Sequence, residues 1–151
     1  MIKFRDIGVY KNAVNVPYCV TDVELKNGMV VTADLADKTV ALPTGVVGKN
    51  EAYIVMNRID KPEVATPDDY TIEVGENPRL FLVQSLNTRI LDMNMLSVTG
   101  AYASINVGDV LVAGNDGKLV VGTASGQEVY FEVIEKTSFG GNGLAVQVIV
   151  A

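Results

Sequence analysis

The stretch VGDVLVAGNDGKLVV, from Val107 to Val121, decides the fold, because two apolar runs flank the tetrapeptide GNDG at Gly114–Gly117. Valine and leucine runs of this length favour β-strands, and asparagine, aspartate and glycine tolerate the left-handed backbone of a tight turn. The tetrapeptide has two interpretations: a ligand loop that holds a metal or phosphate, or a turn that reverses the chain. The choice bears on whether the protein is an enzyme or an architectural protein.

The same pattern occurs earlier in the chain, which favours the turn. NGMVVTADLADKTV, from Asn27 to Val40, aligns with Val107–Val120 at a constant spacing of 80 positions, and Gly28 falls on Gly108. The earlier copy reads DLAD where the later one reads GNDG, so it keeps turn-forming residues and loses the glycines. Further on, EAYI at Glu51 resembles EVYF at Glu128 at a spacing of 77. The repeat predicts two similar halves, either from duplication or from one hairpin geometry used twice.

Short apolar runs punctuated by glycine, proline, asparagine and aspartate continue along the whole chain, and no capped segment has sustained helical spacing. The best helical alternative is Leu86–Leu96, where four apolar residues could share a face. We therefore predict an all-β fold, a hairpin-built sandwich or partly open barrel. The predicted strands are Val14–Val20, Met29–Asp34, Thr39–Leu42, Ala52–Arg58, Tyr70–Val74, Leu80–Leu86, Arg89–Met95, Asp109–Ala113, Lys118–Val121, Glu128–Ile134 and Leu144–Val150.

The composition predicts one globular domain. The chain has 151 residues, of which 48% are hydrophobic and 20% charged, and it carries a net charge of −6, which disfavours nucleic acid as a partner. The single cysteine, Cys19, excludes an internal disulfide, and its apolar neighbours predict a buried thiol. No apolar run reaches the roughly 20 residues of a membrane helix, and the N-terminus lacks the apolar core of a signal peptide. We expect a soluble chain made in the cytoplasm.

The residues predict no catalytic, metal or cofactor site. The chain has no histidine, which removes Ser-His-Asp and Cys-His arrangements. Asp68 and Asp69 are consecutive, so in a strand they would point to opposite faces, and we interpret them as turn residues. The glycine-rich stretch Ser138–Val148 continues as an alternating strand and lacks the lysine and helix of a phosphate loop. It predicts a flexible hairpin loop with Phe139 as a contact residue. An enzyme with acids from distant strands remains an alternative.

The first residues have two interpretations of equal weight. Met1–Asn12 is either an N-terminal arm that adds a strand to a partner's sheet, or the first strand of the fold, with residues 13–151 forming a single β domain. In the arm interpretation, Ile2 and Phe4 are apolar anchors and Arg5 is a charged contact. The predicted partner-binding residues are therefore Ile2, Phe4, Arg5 and Phe139.

Two segments resemble a known class of protein. INVGDVLVAGNDGKLVV and EVYFEVIEKTSFGGNGLAVQVIVA resemble the C-terminal halves of small β-rich virion proteins of tailed bacteriophages, including capsid decoration (cement) proteins and head-fibre bases. The shared pattern is a G-D-V-L hairpin, a D-G-K turn and a last hairpin closed by a glycine-rich loop. The resemblance covers the last third of the chain with a weaker echo at Lys26–Val40, while Asp60–Ser97 matches nothing.

The resemblance implies a structural virion protein on the capsid surface that binds the major capsid protein. It implies a homo-oligomer that does not depend on a cofactor, with a trimer natural at three-fold positions of a shell. The net charge and the lack of a long apolar run separately predict no nucleic-acid or membrane partner. The alternative is a non-enzymatic binding module for a host surface or glycan. In that case the loops Ser138–Gly143 and Asp60–Asp69 would carry the contacts.

Overall fold

The fold is all-β, as predicted. The computed structural model describes residues 1–151 and contains twelve strands and four 3-10 helices of three or four residues. None of these helices has the length and apolar character needed to cross a membrane. The strands are β1 Ile2–Phe4, β2 Asn15–Val16, β3 Val20–Thr21, β4 Val30–Asp34, β5 Thr39–Ala41, β6 Ala52–Val55, β7 Leu80–Leu82, β8 Ile90–Asn94, β9 Val110–Ala113, β10 Leu119–Gly122, β11 Val129–Thr137 and β12 Gly143–Val150.

The strands form two six-stranded sheets. Sheet A has the order β1-β8-β12-β11-β9-β10, and sheet B has the order β2-β7-β6-β4-β5-β3. All neighbours run antiparallel except β3 and β5, which are parallel. The sheets stack as a sandwich and do not close into a barrel, which decides between the two predicted architectures.

The two sheets repeat one topology, which agrees with the prediction of two similar halves. The order β7-β6-β4-β5 in sheet B recurs as β12-β11-β9-β10 in sheet A. Gly28 and Gly108 start the repeated hairpins with φ of 94° and 93°. The Gly28 N–H donates to the Val55 carbonyl, and the Gly108 N–H donates to the Val133 carbonyl. The two acceptor residues, Val55 and Val133, are 78 positions apart, so the predicted spacing of 77 for these strands is wrong by one residue.

The two sheets pack against each other through faces that are not equivalent in the repeat. Alternation along the strands sends one face of sheet B and one face of sheet A into a shared core of 22 buried residues. Sheet B contributes the cross-strand row Val30, Ile54 and Phe81, and sheet A contributes the row Leu111, Phe131 and Val148. By register these rows are not equivalent, because the counterpart of the sheet B row is Val110, Glu132 and Gln147.

The other face of sheet B is covered by residues 57–79, an insertion between β6 and β7. Tyr70 and Ile72 from this segment join a second core of 11 buried residues with Val31, Tyr53 and Leu80. The predicted strand Tyr70–Val74 is wrong, since only Ile72 pairs, through a single bridge to Leu25.

Several other predicted strands have different bounds in the structure. Val14–Val20 splits into β2 and β3, and Leu80–Leu86 turns into a 3-10 helix at Val83. Ala52–Arg58 ends at Val55, and Glu128–Ile134 continues to Thr137. Leu86–Leu96, the helical alternative, contains the strand β8 instead.

The tetrapeptide GNDG is a turn that also joins the sheets. Gly117 is buried with φ of 78°, and its carbonyl accepts a 2.7 Å hydrogen bond from the Val30 N–H of sheet B. The Asn115 side-chain oxygen accepts a 3.0 Å hydrogen bond from the Gly45 N–H. The polar atoms of the turn are therefore used in contacts within the chain.

Candidate partner interface

The outer strands of the two sheets differ in how well the chain covers them. At β10, Val98 forms a parallel bridge with Leu119, and the Thr99 N–H donates to the Leu119 carbonyl at 2.7 Å. At β3, the Thr21 N–H donates to the Glu76 carbonyl, and the Gly75 N–H donates to the Thr21 carbonyl. Neighbouring chain thus covers β3 at Thr21 and β10 at Leu119, which is a common protection against edge-to-edge pairing, while Val121 of β10 stays exposed.

The β1 edge is open. β1 pairs with β8 in the register Ile2 with Met93, Lys3 with Asp92 and Phe4 with Leu91. The Met1 carbonyl and the Arg5 N–H bond to β8 at 3.1 and 3.0 Å, so the ladder uses positions 1, 3 and 5. Because bonded positions alternate in an antiparallel pair, the peptide groups of Ile2 and Phe4 point away from β8. β2, the remaining edge, has only two residues.

The two inward side chains of β1 secure it to the core. Phe4 is 9% exposed, and its ring makes edge-to-face contacts with Phe81 at 5.3 Å and Tyr10 at 4.8 Å. Ile2 is half-buried and packs against the same core. Because the Phe4 ring is buried in the folded chain, only the backbone of Phe4 is available to a partner strand.

Arg5 clamps β1 to the outer face of sheet A. Its guanidinium donates to Asp92 at 2.6 Å and to Glu135 at 2.8 Å. These two hydrogen bonds, that to Asp92 first, raise the pKa of Arg5 above its ordinary value. Glu135 reaches Arg5 just after a register shift in β11 beyond Val133. Neither acid was singled out from the sequence, although alternation within β8 places Asp92 on the outer face.

Phe139 lies beside β1, although it is far from β1 in the sequence. The Lys3 Nζ sits 5.1 Å from the centroid of the Phe139 ring. Lys3 is exposed and forms no ion pair. Of the predicted contacts, Ile2, Phe4 and Arg5 thus lie on β1, with Ile2 on the core side and Arg5 on the outer side, and Phe139 lies beside the same strand through Lys3.

The two loops of the alternative interpretation also meet near β1, around Asn94. The Asn94 side-chain amide donates to Asp68 at 2.7 Å, and its oxygen accepts from the Met1 ammonium at 2.9 Å. A Cβ on Gly140 would lie 3.0 Å from the same amide nitrogen, so the glycine-rich loop packs closely there. Burial lowers the pKa of the Met1 ammonium, and the nearby Asp68 carboxylate opposes this effect.

Exposed apolar side chains follow β1 directly. Ile7 is fully exposed, and Tyr10 is 56% exposed while it contacts Phe4. The Arg79 guanidinium lies 5.2 Å from the Tyr10 ring centroid and packs on its other neighbour, Phe81, at 4.7 Å. The open backbone edge is therefore continuous with an aromatic and cationic surface, which we call the β1 edge: residues 2–10, Arg79 and Phe139.

The cleft elsewhere on the surface is lined by polar side chains that do not form a metal site. The larger open cleft, of about 560 Å³, is lined by Glu24, Lys61, Glu63, Asp69 and Glu73 among others. Lys61 donates to Glu76 at 3.1 Å, a contact that raises the pKa of Lys61. No group of three or more acidic or cysteine side chains is placed to hold a metal ion. Cys19 is fully buried, and this burial raises the pKa of its thiol.

No family model, curated protein or solved structure matches this chain. Inferences about function therefore rest on the residues of the β1 edge and on the resemblance of the two C-terminal segments to phage virion proteins.

Proposed function

We propose that this chain is a non-enzymatic structural protein of a bacteriophage virion, which sits on the capsid surface and binds the major capsid protein through the β1 edge. The observation that carries the proposal is the outer edge of β1, where the peptide groups of Ile2 and Phe4 have no partner and the Phe139 ring lies beside Lys3. The resemblance of Ile105–Val121 and Glu128–Ala151 to phage decoration proteins supplies the virion context.

The physical character of the chain suits that role. Two apolar cores and the Arg5–Asp92 ion pair hold the sandwich without a disulfide. A free strand edge can take a partner strand, and backbone hydrogen bonds then give affinity while flanking side chains give selectivity. The assembly on the shell is proposed to be a homo-oligomer, with a trimer at three-fold positions.

The direct test is the composition of virions of the phage that encodes the chain. We expect quantitative mass spectrometry of gradient-purified particles to find the chain at a constant ratio to the major capsid protein. A soluble protein of the host serves as the control for carry-over. Complete, infectious particles that lack the chain would rule out the proposed role.

The oligomeric state has its own measurement. Light scattering of the purified chain across a concentration range is expected to show a stable oligomer that persists on dilution. A monomer at every concentration would contradict a preformed oligomer and would leave assembly on the shell as the route to it.

A second candidate function is a host-surface or glycan-binding module. It is favoured by the meeting of Ser138–Gly143 and Asp60–Asp69 around Asn94, which makes one continuous loop surface. In this case the chain should bind a soluble glycan without any shell, and Phe139→Ala should weaken that binding. A glycan array probed with the wild-type chain separates the two candidates, because capsid docking predicts no glycan signal.

A further inference from the structure

We infer that the partner strand at the β1 edge alternates apolar and acidic side chains, and that it comes from a different protein and not from a second copy of this chain. The inference rests on the proposed docking role of the edge and adds the chemistry of the partner.

The free peptide groups determine where a partner strand would lie. The N–H and C=O of Ile2 and Phe4 point away from β8, so an added strand would bond at these two positions. Its side chains would then alternate between the core side, next to Ile2 and Phe4, and the outer side, next to Lys3 and Arg5. The partner therefore needs two different kinds of side chain at alternate positions.

The core side of the edge selects apolar side chains. The Phe4 ring and the partly exposed Tyr10 ring contact each other there, and the half-buried Ile2 borders the same core. An apolar residue of the added strand would cover this surface and remove it from water, which is favourable in proportion to the area buried.

The outer side selects acidic side chains. Arg5 takes two carboxylates, including that of Asp92, which lies opposite Lys3 on β8, so Lys3 forms no ion pair and is exposed over the Phe139 ring. A carboxylate placed across from Lys3 on an added strand would form a favourable cross-strand pair, whereas a cation there would be repelled. Lys3 is thus the residue that discriminates between partner strands.

The same cation rejects a second copy. In antiparallel pairing of two β1 strands through Ile2 and Phe4, Lys3 would stand opposite Lys3 of the other copy in a non-hydrogen-bonded pair, where side chains are closest. A shift of the pairing by two residues would bring Lys3 opposite Arg5. Edge lysines are a known device against self-pairing of sheets, so the occupant that fits is an acidic strand from another protein.

The test uses two blocked peptides, one of alternating valine and glutamate and one of alternating valine and lysine, titrated into the full chain by amide NMR. The glutamate peptide is expected to shift the amide signals of Ile2, Lys3 and Phe4, and to bind about fivefold more tightly than the lysine peptide. Lys3→Gln should abolish this preference. Lys118→Gln, the same change on the exposed turn at the opposite end of sheet A, should keep it.

A second variant tests the backbone. Ile2→Pro removes an outward N–H and leaves the bonds to β8, so peptide binding should fall while the rest of the spectrum is retained. Three results would each overturn the inference. The wild type could bind both peptides equally, or the peptide-induced shifts could map away from β1. The β1 signals of the chain alone could also broaden with protein concentration in a way that Ile2→Pro removes, which would indicate self-pairing.

The two proposals fail in different ways. Virions that incorporate Lys3→Gln and Ile2→Pro at the wild-type ratio would overturn this inference and docking through the β1 edge, and would leave the role as a structural virion protein intact. Absence of the wild-type chain from virions would overturn the proposed function, whatever the peptides show.

Discussion

Replacement of Gly117 by alanine tests the claim that the GNDG turn joins the two sheets. Gly117 has φ of 78°, a left-handed conformation that costs an alanine about 1 kcal/mol relative to glycine. A Cβ at this position would lie 2.8 Å from the Met29 methyl carbon and 3.1 Å from the Val30 carbonyl oxygen. The methyl group can move, but the backbone oxygen belongs to β4 and cannot easily do so. This crowding is expected to add about 1–3 kcal/mol.

Gly126 provides the matched control, because it has φ of 80° and no atom within 4 Å of the position of its Cβ. Gly126→Ala should cost only the backbone term, about 1 kcal/mol, and Gly117→Ala about 2–4 kcal/mol. Urea unfolding with a common slope measures both losses in free energy of unfolding. If both variants lose the same free energy of unfolding, Gly117 is not closely packed against sheet B, and this result would refute the reasoning.

Three further outcomes are expected. Arg5→Met should lower the free energy of unfolding by about 1–2 kcal/mol in urea melts, since it leaves the buried Asp92 carboxylate without its partner; an unchanged midpoint would contradict the clamp. The Glu76 carboxylate accepts hydrogen bonds from the Glu73 N–H and from Lys61, which lower its pKa. Its contribution to stability is therefore complete above the unfolded pKa near 4.5 and lost as pH falls through the lower folded value, so amide exchange in residues 57–79 should accelerate there, and Glu76→Gln should remove that step. Cys19 is fully buried with a raised thiol pKa, so a thiol reagent should label it only at the rate of unfolding; rapid labelling of the native chain would show that it is accessible.

The hairpins of the fold could be predicted from sequence because their signals are local. Alternating apolar runs and the glycines at Gly28 and Gly108 predict both repeated hairpins, and the spacing of 80 aligns them. The alignment misses by one residue at the next strand, where Phe131 and not Tyr130 is the counterpart of Tyr53. Matching Tyr53 with Tyr130 favours the wrong register by residue type, because the hydrogen bonds that define the register cannot be recognised from residue type alone.

The nonlocal parts of the fold could not be predicted in this way. Tyr70–Val74 has the composition of a strand, yet it serves as a cover for sheet B and pairs only at Ile72. The apolar residues of this segment cover the apolar face of sheet B, so their β-propensity reflects burial and not strand pairing. The same holds for the candidate site: Phe139 could be identified in the glycine-rich loop, but only the sheet order β1-β8-β12 places it beside Lys3.

Differences between the repeats show how stacking is encoded in the sequence. At equivalent cross-strand positions sheet B has Ile54 and Phe81, which are buried between the sheets, and sheet A has Glu132 and Gln147, which remain partly exposed. The apolar pair in sheet A would expose a second hydrophobic face to solvent, and the polar pair in sheet B would be costly to bury between the sheets. Both halves thus share one backbone topology. These side chains determine that sheet B is covered on both faces, and that the face of sheet A with Glu132 and Gln147 forms the outer surface of the sandwich.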